Sequence, residues 1–134
     1  MRKGRLDGVL KAAADPTRLR LLNLLRLGSI CVCDLQAVLR IPQPTVSRHL
    51  AALRHAGLVN DARRGMRIVY SLTTAETTEI DALLQLLDRC CPEDAVMRAD
   101  IVRFHAAVAA GRCRLESGPG EARPPEAFLE ENPA

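Results

Sequence analysis

Apolar residues recur three and four apart along most of this chain, the spacing of helices that bury one face. Leu6, Val9, Leu10, Ala13 and Ala14 predict a first helix over 5–14. Asp15-Pro16 then reads as a helix start, with Asp15 as N-cap and Pro16 in the first turn. That second helix should run through the leucines of 19–27 and stop at Gly28. A short helix is expected over 30–39, with Leu35, Val38 and Leu39 inward. Ile41-Pro42-Gln43-Pro44 breaks the pattern as a turn. Another helix follows over 43–55, with Val46, Leu50 and Leu53 on one side, and ends at Gly57.

After Gly57 the period changes to two. Residues 58–60 and 67–72 alternate like strands, and 62–65 supply the turn of a hairpin. Helical spacing returns over 76–89 with Ile80, Leu83, Leu84 and Leu87. Pro92-Glu93-Asp94 opens a last helix reaching about Gly111, its acidic residues where the helix dipole favours them. Residues 114–134 are rich in Pro, Gly and Glu and are expected to be disordered. The organisation expected is one domain over 1–113 and a tail over 114–134. The fold class is mainly α with a small β-hairpin wing, a winged helix-turn-helix.

Charge sharpens this picture. Up to Cys113 there are 17 Lys and Arg against 11 Asp and Glu; beyond it there are 2 against 5. The folded body is therefore more basic than the overall +3 suggests, which suits an anionic partner. Between Arg40 and Arg67 stand six Arg and two His against one acid, Asp61. The helix over 43–55 should enter the DNA major groove. It would present Gln43, Thr45, Ser47, Arg48 and His49; Gln and Arg can grip base edges, Ser and Thr either bases or phosphates. Arg63, Arg64 and Arg67 flank the hairpin turn, within reach of the backbone or the minor groove. His49 also has a plainer role open to it, holding the turn together. No stretch is apolar and long enough to span a bilayer, and no apolar segment follows the basic start as in a signal peptide. A cytoplasmic protein with reduced thiols is expected.

Five cysteines then need an account. In Cys31-Val32-Cys33-Asp34 the two thiols would point to nearly opposite sides of a regular helix. One can be core, and the other is then exposed. Both could grip one ion only if the helix starts after Cys31 or its first turn unwinds. Cys90-Cys91-Pro92 is a second cluster; Cys91, preceding a proline, should be pushed out of helical geometry and exposed at a hinge. Cys113 falls where order is expected to end and reads as a spare thiol. Thiolates select soft ions such as trivalent arsenic and antimony, or cadmium and lead. No Cys/His cluster has zinc-finger spacing, and no catalytic constellation stands out, so no enzyme is expected.

The segments from Ala14 to Leu22, Cys31 to Leu35, Gln43 to Leu50 and Leu53 to Val59 resemble the ArsR/SmtB family of metal- and metalloid-responsive repressors. The Cys31-Val32-Cys33-Asp34-Leu35 box is similar to that of its arsenical/antimonial members. The resemblance implies a homodimer joined by the first and post-wing helices. It implies repression at an inverted repeat in double-stranded operator DNA, with no cofactor needed for binding, and release when As(III) or Sb(III) meets the thiolates. Arsenical repressors with this box often carry a third cysteine three residues after the second; here that position is Gln36. The third ligand is then either absent, or supplied by Cys90 or Cys91 of the same or the other subunit. Cadmium/lead relatives also use cysteines of an N-terminal extension, and this chain has none before Cys31. Zinc-sensing relatives pair Asp with His on the post-wing helix; here Glu79, Asp81 and Asp88 have no matching His. A cadmium/lead input and a thiol redox or sulfide input remain the alternatives.

Overall fold

A computed structural model describes residues 6–74 and 77–116. Helices α1 (Leu6–Ala13) and α2 (Pro16–Leu25) are separated by the predicted cap, in which the Asp15 carboxylate accepts from the Arg18 backbone N–H at 3.0 Å. α2 ends at Leu25, earlier than expected, and Arg26 to Gly28 form the turn that follows. Gly28 has φ +143°, a backbone conformation that favours glycine, and a Cβ there would meet the Leu115 side chain at 3.2 Å.

Ile30–Cys31 form a two-residue strand, β1, rather than the start of a helix. The wing strands are β2 (Val59–Arg64) and β3 (Arg67–Leu72), and β1 pairs with β3, Ile30 opposite Tyr70 and Cys31 opposite Val69. The sheet is antiparallel in the order β1-β3-β2. Pairing in the hairpin runs out to Arg64 opposite Arg67, so the turn is Gly65-Met66, tighter and later than the 62–65 turn expected. Gly65, at φ +63°, supplies the left-handed residue this two-residue turn needs.

Helix α3 (Val32–Leu39) starts directly after Cys31, which is its N-cap residue, and ends on Arg40 at φ +59°. α4 (Gln43–His55) has the predicted bounds and buries Val46, Leu50 and Leu53. α5 (Thr78–Cys90) is capped by Thr77, whose hydroxyl accepts from the Ile80 N–H; Glu76, expected in this helix, lies outside the described residues. A single 3₁₀ turn, Cys91–Glu93, links it to α6 (Ala95–Ala109), capped by Asp94.

One aliphatic core runs through α1 to α5, with Phe104 and Ala107 closing it from α6. Two ionic joints cross it. Arg26 in the turn after α2 donates to Asp88 of α5 at 3.0 Å and to Asn23 at 2.8 Å, all buried. Asp100 of α6, with no exposed surface, accepts from Arg20 of α2 at 2.8 and 2.9 Å and from Arg103 at 2.6 Å. Arg103 also donates to the Val38 carbonyl of α3 at 2.8 Å. α6 is thereby fixed to both α2 and α3. Arg114 to Glu116, grouped with the tail on composition, lie against this body; the rest of that tail is outside the described residues. Among the described residues no helix is long and apolar enough to cross a membrane.

Candidate functional site

α3, the tight turn at Arg40 to Pro42 and α4 form a helix-turn-helix, and the β2–β3 hairpin stands beside it as a wing. With Val46, Leu50 and Leu53 inward, the outward face of α4 carries Gln43, Arg48 and His55 exposed, with Thr45 and Ser47 half-buried at its sides. Arg48 leans back along the helix toward the Thr45 hydroxyl at 3.4 Å. His55, not among the residues expected to read DNA, is also exposed at the end of this helix. His49 is half-buried, and its Nδ1 accepts from Arg18 Nε at 3.0 Å, joining α4 to α2. That bond requires Nδ1 to be unprotonated.

On the wing, Arg63 is exposed and Met66 at the tip is 96% exposed. Arg67 is not simply presented outward. Its Nη2 donates to Glu116 at 3.0 Å, and its Nε is buried with no partner among the described residues. Arg54 is occupied by Asp61 at 2.9 Å, tying the end of α4 to the base of the wing.

The thiols divide into two groups. Cys31 is buried and Cys33 exposed, as opposed directions on a helix demand, but the helix begins between them. Both line a cavity of about 240 Å³ together with Asp34, Arg67 and Cys113. Cys113 was read as a spare thiol; it is buried there. Burial pushes the Cys31 thiol up, the Asp34 backbone N–H pulling against it. Burial likewise pushes Cys113 up to about 11, the Asp34 carboxylate and Cys31 adding to the effect. Among the described residues no three His, Cys, Asp or Glu side chains converge closely enough to hold an ion as they stand. The cavity gathers soft donors without assembling them.

Cys90 and Cys91 are elsewhere, at the junction of α5 and the 3₁₀ turn, and neither lines this cavity. The expectation that Cys91 is forced outward by Pro92 is overturned. Its φ of −58° and ψ of −39° remain helical, because the chain tightens into the 3₁₀ turn, and it is buried. Burial raises its thiol to about 11, with the Arg26 charge opposing. Within one chain the third sulfur nearest Cys31 and Cys33 is therefore not one of these two.

Residues 15–61 match the family described as bacterial regulatory protein, arsR family. The chain is 44% identical over 78 residues to arsenic resistance transcriptional regulator ArsR1 of Pseudomonas putida, a match covering 58% of this chain and 61% of that protein. It is 35% identical over 85 residues to transcriptional repressor SdpR of Bacillus subtilis, 63% of this chain and 94% of that one. Among solved structures, reduced HlyU from Vibrio cholerae superposes with a TM-score of 0.55 at 36% identity, over 62% of this chain and 84% of that one. The transcriptional repressor BigR from Xylella fastidiosa gives 0.57 at 32% identity, over 66% and 85%. With residues 15–61 matching the family model and relatives above 30% identity covered over most of their length, the chain belongs to the arsR family of bacterial regulatory proteins.

Proposed function

We propose that this chain is a homodimeric transcriptional repressor that leaves its operator when trivalent arsenic or antimony binds thiols including Cys31 and Cys33. One observation carries the reading: these two cysteines bracket the first residue of α3, and α3 packs directly on α4. A bond that draws the two sulfurs together must alter the α3 start, and α4 is the next element the strain meets. Relatives named for arsenic resistance, in Pseudomonas putida and Escherichia coli, support the same input. In the dimer, two copies of α4 would lie about one DNA turn apart, on an inverted repeat.

Proton exchange differs between a metalloid and a divalent cation. Cysteine thiols carry their protons near neutrality. Arsenous acid brings its own hydroxides, so each thiol proton leaves as part of a water molecule. Cadmium or lead must instead expel those protons into solution. Moving the dimer from almost fully bound to almost fully free requires about 5.5 kcal/mol of discrimination between the two states.

The test is fluorescence anisotropy of labelled promoter DNA with reduced protein, titrated with arsenite and separately with cadmium. Arsenite should release the DNA, and Cys31→Ser or Cys33→Ser should abolish release while leaving DNA binding within about threefold. Release by cadmium or oxidant but not by arsenite would overturn the assigned signal.

A further inference from the structure

We propose that Cys113 is the third sulfur ligand of the metalloid site, brought to Cys31 and Cys33 by the segment that follows α6. The inference rests on the reading above and supplies the ligand missing at Gln36. Gly111, at φ +77°, turns the chain sharply at the end of α6, and the backbone N–H groups of Arg112 and Cys113 both bond to the Ala107 carbonyl. The next three residues form a strap across the mouth of α3. The Arg114 N–H donates to the Asp34 carboxylate at 3.0 Å. The Glu116 N–H donates to the Ser29 carbonyl at 2.7 Å, and Leu115 covers Gly28. These ties hold a segment of tail-like composition in one place, and the buried side chain it delivers there is a thiol facing the Cys31–Cys33 cavity.

The three sulfurs come from three structural origins: the N-cap of α3, its first turn, and the strap. Trivalent arsenic takes three sulfurs in a pyramid, which scattered donors can approach from one side of the cavity. Binding forms three As–S bonds and breaks three As–O bonds of arsenous acid. The three thiol protons join the departing hydroxides as three waters, and arsenic stays trivalent, so no oxidant or reductant is needed. Cys33, exposed and on the first turn, is the donor free to swing in. Because Glu116 of the same strap holds Arg67 of the wing, drawing Cys113 inward also pulls on a wing arginine.

The test compares arsenite with phenylarsonous acid, which has only two exchangeable oxygens and needs two sulfurs. Binding is read from sulfur–arsenic charge-transfer absorption of the full chain under anaerobic conditions. Cys113→Ser should lose at least tenfold in arsenite affinity yet bind phenylarsonous acid within about threefold of the unaltered protein. Cys33→Ser should lose arsenite affinity to at least the same degree. Cys90→Ser should lose neither ligand. Mass mapping of iodoacetamide labelling on the unaltered protein needs no variant, and arsenite should shield Cys31, Cys33 and Cys113. Arsenite binding within twofold of normal in Cys113→Ser, or Cys113 labelled equally with and without arsenite while Cys31 and Cys33 are shielded, overturns the assignment and leaves the two-thiol repressor standing. Arsenite that shields no cysteine removes the underlying reading as well.

Discussion

Replacing Asp100 by alanine cuts the joint that holds α6, and with it the strap bearing Cys113, against the DNA-binding body. The Asp100 carboxylate is fully buried and accepts three short bonds from guanidinium groups, two from Arg20 and one from Arg103. Charge-assisted bonds contribute roughly 1.5–3 kcal/mol each, which sets an upper bound well above 4 kcal/mol. Two effects reduce it. Removing the carboxylate recovers its desolvation cost, and the arginine side chains it leaves behind are 22% and 33% exposed, so water can reach them. A net loss of about 3 kcal/mol results, at the lower end of what breaking a buried pair costs. The assay is urea unfolding at one fixed protein concentration, since dimerisation makes stability concentration-dependent. For a chain of this length the same loss lowers Tm by roughly 10 °C. The milder Asp100→Asn keeps one acceptor and should cost less while still loosening α6. In it, arsenite affinity should fall more than DNA affinity does. A loss below about 1 kcal/mol in Asp100→Ala, or an Arg20→Ala/Asp100→Ala cycle with no coupling, would refute the view that this joint anchors α6.

Other consequences follow from the same contacts. Glu116→Gln weakens the hold on Arg67, so arsenite-free DNA binding should tighten by a few-fold and the salt slope steepen by about one unit; weaker binding with an unchanged slope contradicts this. Arg48→Ala should cost about 1–3 kcal/mol on the operator and little on unrelated DNA, whereas Arg63→Ala should weaken both alike, as competition binding will show. Between pH 6 and 8 arsenite affinity should stay within about threefold, while cadmium affinity should climb by at least tenfold per pH unit, as calorimetry in paired buffers can measure. Cys91, raised by burial to about 11, stabilises the fold fully below its ordinary pKa near 9. As pH rises from there through 11, the unfolded chain ionises first, and about 2–3 kcal/mol should be lost; Cys91→Ala should flatten that decline in denaturant titrations.

The helices were legible because their signals are local. Asp15-Pro16, the leucines of α2 and the Val46, Leu50, Leu53 stripe each declare an element within one or two turns. The opposed directions of Cys31 and Cys33 follow from helix geometry alone, whereas the start of α3 after Cys31 was only one of two ways to let both thiols grip one ion, set beside an expected helix over 30–39. What escaped depends on partners far along the chain. Ile30–Cys31 extend because β3, some forty residues on, offers an edge to pair with. Cys91 stays buried because the Arg26–Asp88 joint and a 3₁₀ turn outweigh the bias imposed by Pro92. Cys113 was least legible. Its neighbours have the composition of a loose tail, and only bonds to Asp34 and Ser29, some eighty residues earlier, place it beside the other two thiols. His49 carried the residue type of a DNA contact, and it took Arg18 on another helix to show where its ring nitrogen goes.

The most direct test of the account is to measure arsenite affinity twice, on the free dimer and on the dimer saturated with operator DNA. If the thiol cavity and the DNA surface are coupled, linkage requires DNA to weaken arsenite binding by the same factor that arsenite weakens DNA binding. The account predicts equal factors, each of about ten-thousandfold, the roughly 5.5 kcal/mol that near-complete release requires. The same arsenite affinity with and without operator would contradict it.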